Sequence, residues 1–121
     1  MANNTFPRTS RLLTSGDYDK VFKKPVRVSA PGILLLATDN QEAHARLGLV
    51  VPKKVLKRAV WRNRVKRIVR ESFRNSQALL PHADLVFIAR QGIKELENEQ
   101  LASSLAKLWD QISRRLRNQQ S

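Results

Sequence analysis

Hydrophobic positions along this chain change their spacing several times, and each change marks an element. Val26-Arg27-Val28 alternates apolar with charged, and residues 33–38 form a short apolar run of mostly branched side chains. Both read as strands. Residues 45–51 supply a third strand, which Pro52 ends. Between 56 and 75 the spacing becomes three and four, with Trp61, Val65, Ile68 or Val69, and Ser72 on one side of a long amphipathic helix. Residues 85–89 return to a strand that Arg90-Gln91-Gly92 closes. A final helix is predicted from a cap at Asn98, because Leu101, Leu105, Leu108, Ile112 and Leu116 recur at helical spacing with Ala102 and Trp109 beside them.

Before the first strand, Ser15 or Asp17 can cap a short helix through 22, which Lys23-Lys24-Pro25 stops. Pro31-Gly32 breaks the chain between the first two strands. The polar residues 39–42 look like a hairpin loop, predicting that the strands on either side of it form an antiparallel pair. The predicted order αβββαβα is a mixed α/β fold, a two-layer sandwich in which amphipathic helices cover a sheet. No repeat, low-complexity stretch or long linker divides it, so residues 1–121 are read as a single domain, with flexible ends at 1–10 and 118–121.

Composition narrows the function. A hydrophobic content of 41% is that of a globular chain rather than a disordered basic tail, yet 23 Lys and Arg oppose only 10 Asp and Glu, for a net charge of +13. Such a surplus calls for a polyanion, nucleic acid first and anionic membrane second. The longest apolar runs, 33–37 and 47–51, fall far short of the roughly 20 residues that span a bilayer. There is no cysteine, which excludes disulfides, thiol nucleophiles and cysteine zinc sites and fits a reducing compartment. The N-terminus lacks the apolar centre of a secretory signal and is treated as mature protein, so a cytoplasmic location is expected.

The charge concentrates in residues 53–74, which hold ten basic residues and one acid, Glu71. On a helix of about 100° per residue, Asn63, Arg67, Arg70 and Arg74 point away from the apolar side, while Arg62, Arg64 and Lys66 sit on its flanks. Solvated helix faces usually mix signs, and stacked like charges cost a few tenths of a kcal/mol per pair, so this stripe points to phosphate. The Asn63 amide can meet a ribose hydroxyl or base edge, or bond within the protein; both readings stand. Glu71 is expected to be structural, between Arg67 and Arg74. Tyr18 and Phe22, four apart, can pack in the core or stack on unpaired bases. Trp61 and Trp109 are assigned to the core. His44 and His82 are isolated loop residues, so no metal site is expected, and no phosphate loop, nucleophile elbow or paired-carboxylate pattern offers a catalytic residue.

The stretch RLGLVVPKKVLKRAVWRNRVKRIVRESFR, residues 46–74, closely resembles the signature of the protein subunit of bacterial ribonuclease P. RLLTSGDYDKVF (11–22) and ADLVFIAR (83–90) also look like segments of that family, so the resemblance covers nearly the whole chain. It implies a fold like the second domain of ribosomal protein S5, with an uncommon left-handed βαβ crossover that runs against the right-handed rule. It also implies an accessory subunit of a ribonucleoprotein endonuclease, in which a catalytic RNA with its magnesium ions removes the 5′ leader of precursor tRNA. No protein catalytic residue, further protein partner or membrane is then required.

Carried over by position, Lys53, Lys54, Arg58, Arg62, Asn63, Arg64, Lys66, Arg67 and Arg70 would face the catalytic RNA. The leader would lie along Tyr18, Phe22 and the strand from Ile33 to Leu36. Two departures stand out: Lys57-Arg58 replaces a common Gly-Asn, and Leu36 stands where an aromatic is frequent. The competing readings are a ribosomal or general structured-RNA-binding protein and a DNA-binding module that lays the helix in the major groove.

Overall fold

The computed structural model describes residues 10–12, 14–42 and 44–120, with backbone alone for Gln119 and Gln120. The first helix, α1, spans Ser15–Lys23 and is capped by Thr14, one residue before the expected position. The Thr14 hydroxyl accepts from the Asp17 N–H, while the Asp17 carboxylate accepts from the Thr14 N–H, each at 3.1 Å. This reciprocal pair satisfies two backbone donors at the helix start. Strands β1 (Val26–Ala30), β2 (Ile33–Asp39) and β3 (Arg46–Val50) follow, then α2 (Ala59–Ser76), β4 (Ala83–Ala89) and α3 (Asn98–Gln120). The element order is the expected one. Residues 1–9 and 121 of the ends expected to be flexible lie outside the described residues, whereas 118–120 continue α3.

The sheet order β1-β2-β4-β3 corrects one expectation: β2 and β3 do not pair. The hairpin is β1–β2, turning at Pro31-Gly32, where Gly32 has φ 82°. A Cβ at Gly32 would come within 2.8 Å of the Ile93 backbone, so both the backbone angle and the close packing require glycine. β4 lies between β2 and β3, antiparallel to the first and parallel to the second. A parallel pair needs a long crossover, and α2 provides it. The physical reason is burial: most of β4 is buried, so it gains most as a central strand with a neighbour on each side. Local spacing carries no trace of a strand that arrives some forty residues later, so adjacent strands look like a hairpin.

Alternation assigns the two faces. Val26, Val28, Leu35, Ala37, Leu85, Phe87 and Leu47 form the main core with α2 and α3. Leu34, Leu36 and Val86 belong to a smaller cluster under α1, with Leu12 and Val21. On the main side α2 contributes Val65, Val69 and Phe73, and α3 contributes Leu101, Leu105, Leu108, Ile112 and Leu116, all buried. Phe73 meets Trp109 edge-on at 5.8 Å, and the Trp109 indole N–H donates to the Ser72 hydroxyl at 2.8 Å. Trp109 is therefore a core residue with its one polar atom satisfied, as expected.

At the start of α3, the Gln100 side chain accepts from the Glu97 N–H at 2.8 Å. Glu97 thus holds the cap position expected of Asn98, and the Asn98 amide oxygen is used elsewhere.

Candidate nucleic-acid interface

Pro52 begins a tight turn, in which the N–H groups of Val55 and Leu56 both donate to the Pro52 carbonyl, and α2 starts at Ala59. Leu56, buried in the main core, anchors this turn. Lys53, Lys54, Lys57 and Arg58 are therefore held exposed at the N-terminal end of α2, which has no side-chain cap and no acid in its first turn. Such an end carries partial positive charge from its free N–H groups, and the four cations add to it.

Along α2 the basic side chains divide. Arg62 folds back, donating from one terminal nitrogen to the carbonyls of Leu56 and Lys57 at 2.8 and 2.9 Å. Arg64 reaches the start of α3, donating to the Asn98 amide oxygen at 3.0 Å and more weakly to the Leu96 carbonyl at 3.4 Å, and its Nε is buried without a partner. Arg58 and Lys94 both lie against the Trp61 ring, at 5.3 and 4.0 Å from its centroid. Trp61 is only partly buried, at the rim of the main core. By contrast Arg67 and Arg70 are exposed, Lys66 is half-buried, and none of the three has a hydrogen bond or ion pair with a described residue. Asn63 is exposed as well, so its amide is available to a partner. Among the described residues no ion pair joins Glu71 to Arg67, and Glu71 stands exposed beside the groove between α2 and α3.

The other face of the sheet is organised by Tyr18 and Arg46. The Tyr18 ring lies directly on Gly48, where a Cβ would fall 2.6 Å from the ring, and its hydroxyl accepts from the Leu49 N–H at 3.3 Å. Phe22, one turn later, is 45% exposed, a large apolar surface left unpacked. Leu36 is buried beneath α1. Ile33 must be removed from this group: strand alternation turns it to the opposite face, where it is buried in the α2–α3 core, and Leu34 occupies the α1 side instead. The resemblance lays the leader along the strand from Ile33 to Leu36, but a two-residue side-chain period puts Ile33 and Leu36 on opposite faces.

Arg46 binds the buried Asp84 through two hydrogen bonds of 2.8 Å, and Asn40 adds a third at 2.7 Å. The Asp17 carboxylate of α1 approaches the same guanidinium at 3.7 Å, so the pair also ties α1 to the sheet. The hydrogen bond to Asp84 and its charge hold the Arg46 pKa above the ordinary arginine value, against the opposing effect of burial. Arg46 and Asp84 serve packing here. Among the described residues no group of His, Asp or Glu side chains could hold a metal ion, and the exposed α2 face is cationic. No helix of the described residues is long and apolar enough to cross a membrane.

Sequence reasoning missed Lys94, whose neighbour Trp61 comes from a distant element, and Gly48, whose seat for Tyr18 is a contact between β3 and α1. No local pattern signals either.

Comparison with known proteins bears on what this surface meets. The family model of Ribonuclease P matches residues 6–113. The chain is 52% identical, over 112 residues, to the ribonuclease P protein component of Aliivibrio fischeri, covering 93% of this chain and 96% of that protein. Among solved structures it is similar to the Staphylococcus aureus RNase P protein, with a TM-score of 0.79 at 30% identity over 86% of this chain and 97% of that one. The Thermotoga maritima RNase P protein gives a TM-score of 0.75 at 30% identity, over 84% and 96% of the two chains.

Proposed function

This chain belongs to the ribonuclease P protein family, and on that premise we propose that its α2 surface docks a catalytic RNA while its α1 side receives the single-stranded 5′ leader of precursor tRNA. As a ribonuclease P protein component it works in tRNA processing beside an RNA subunit. The observation that carries the finer reading is the separation of two surfaces: unpaired cations on α2, and on the opposite side of the sheet an exposed Phe22 on α1.

In this reading Lys53, Lys54, Lys66, Arg67 and Arg70 supply the phosphate contacts, with Asn63 among them for a sugar or base edge. Arg58, Arg62 and Arg64 act first through the protein, fixing the turn and the α2–α3 junction that present the others. On the leader side Phe22 offers the open ring, whereas Tyr18 is held by Gly48 and Leu49 and presents at most an edge. Magnesium belongs to the RNA, whose phosphates provide the hard oxygen ligands that this cationic face does not. Bond cleavage likewise falls to the RNA, and the protein lowers the electrostatic cost of bringing polyanions together.

Reconstitution tests the proposal. With a cognate catalytic RNA at low magnesium, addition of the protein is expected to stimulate removal of the leader from precursor tRNA. No stimulation, or equal binding of any structured RNA or duplex DNA at fixed salt, would overturn it.

A further inference from the structure

An open groove of about 430 Å³ runs between α2 and α3, on the side of the sheet away from α1. Its floor is apolar, made by the half-buried Ile68 of α2 with Ala102 and Ala106 of α3. Two carboxylates, Glu71 and Glu99, line it, and among the described lining residues there is no lysine or arginine. Glu99 has a structural reason for its place, since it lies in the first turn of α3, where the helix dipole favours an acid. Glu71 has none. It is the one acid among the ten basic residues of 53–74, it is exposed, and no hydrogen bond or ion pair joins it to a described residue.

Other polar groups of the groove are oriented by their partners. The Asn98 amide oxygen is taken by Arg64 at 3.0 Å, which leaves its NH2 group to donate. The Ser72 hydroxyl oxygen accepts from the Trp109 indole at 2.8 Å, which leaves its own hydrogen to donate. The groove thus combines fixed donors with carboxylate acceptors over an apolar floor. A guanine carries the complementary set: its N1–H and 2-amino group stand side by side for one carboxylate, and its O6 and N7 accept. The charge around the groove selects between ligands. Arg67 and Arg70, exposed and unpaired among the described residues, stand four and one residues before Glu71. Together with the net charge of +13 they repel a basic peptide or a second copy of this chain and attract phosphate. A carboxylate repels phosphate but accepts from a base edge. A nucleotide with its phosphate on Arg67 and its base turned into the groove satisfies both signs.

We infer that the groove between α2 and α3 receives one unpaired guanine of the RNA subunit, with Glu71 accepting from its N1–H and 2-amino group and Asn98 and Ser72 donating to its acceptor atoms. This rests on the reading above in which α2 docks the catalytic RNA. Unpaired bases with an open Watson–Crick edge are what proteins read in structured RNA, whereas phosphate contacts carry no sequence information. Glu71 is then the residue that lowers affinity for phosphate in general and raises it for one base.

The test measures binding of the full chain to its RNA subunit and to an unrelated structured RNA at the same salt. Glu71→Gln keeps the size of the side chain, removes its charge and replaces one acceptor by a donor. Affinity for the RNA subunit is expected to fall about tenfold, the worth of one bidentate base contact. Affinity for the unrelated RNA is expected to hold or rise, because an acid beside the phosphate contacts is gone. A purely structural Glu71 would not move the two in different directions. Ala102→Met, which fills the floor from an exposed position, should also lower affinity for the RNA subunit. Inosine lacks the 2-amino group; scattered through the RNA subunit in place of guanosine, it should weaken wild-type binding at one unpaired position and have no effect there with Glu71→Gln. Thermal unfolding verifies that the variants are folded; should Glu71→Gln not be, loss of the inosine effect in Ala102→Met decides. Equal or stronger binding of both RNAs by Glu71→Gln, or wild-type binding without an inosine-sensitive guanosine, overturns the base pocket while the docking of RNA on α2 stands. A wild-type protein with no preference for its RNA subunit overturns both. A lysine-rich peptide that binds the wild type but not Glu71→Gln, with RNA affinity unchanged, overturns the base pocket and assigns the groove to a basic protein.

Discussion

The two parts of α2 carry the same residue type and use it in opposite ways. At the N-terminal end Arg58, the residue before the helix, rests on Trp61, Arg62 holds the carbonyls of Leu56 and Lys57, and Arg64 binds Asn98 and Leu96. Further along, from the middle of the helix, Lys66, Arg67 and Arg70 have no partner among the described residues. The first part begins where the turn and the start of α3 bring carbonyl oxygens within reach. The later part runs past those acceptors, and its Arg67 and Arg70 guanidinium groups face water. A basic helix is thus two devices in series: one that fixes its own presentation, and one that is presented.

The sharpest way to break this comparison is to reverse charge in the later part. Arg67→Glu with Arg70→Glu should lower affinity for the catalytic RNA on the order of 100-fold at moderate salt, since two phosphate contacts are lost and replaced by repulsion. The melting temperature should scarcely move, because surface changes of this kind stay within about 0.5 kcal/mol. A large fall in melting temperature would show that these arginines also hold the fold.

The next effect in size belongs to the first part. Arg62→Ala removes a charged donor shared by two carbonyls, and leaves the partly enclosed Leu56 carbonyl without it. A loss of about 2 kcal/mol is expected, discounted for the partial exposure of Arg62, which corresponds to roughly 5–10 °C in melting temperature. RNA affinity should fall as well, through loosening of the turn that presents Lys53 and Lys54. Adding a stabilising ligand of the folded state should restore part of it. If affinity falls with no change in melting temperature, Arg62 is a direct RNA contact and the division of the helix fails.

Much of this architecture was legible in the sequence, and the illegible parts share a cause. Helical spacing found the buried stripe of α3 and most of that of α2, because each helix buries its face against the rest of the molecule in bulk. Alternation identified the strands. It did not tell that β4 would insert between β2 and β3, since strand order depends on contacts between residues far apart in the chain. The same blindness affected the site. Arg62 and Arg64 lie at periodic positions that mark them as basic flanks, but their hydrogen-bond acceptors come from the preceding turn and from the start of α3. Ile33 was assigned to a cleft by segment rather than by parity.

The smallest expected effect concerns the boundary between the two parts, where Lys94 meets Trp61. Lys94 comes from the turn before α3 and lies 4.0 Å from the indole centroid, so it is held by the protein, as Arg58 is. A partly exposed contact of this type is worth about 0.5 kcal/mol. Lys94→Ala should therefore lower stability by about that amount and alter Trp61 fluorescence, because the charge nearest the indole is gone. Its effect on RNA affinity should stay below about twofold, less than the roughly fourfold that one lost phosphate contact produces near physiological salt. A fourfold loss, with a matching decrease in the salt slope, would move Lys94 from the cations that fix the surface to those that meet the RNA. The boundary would then run through the aromatic ring rather than along the helix.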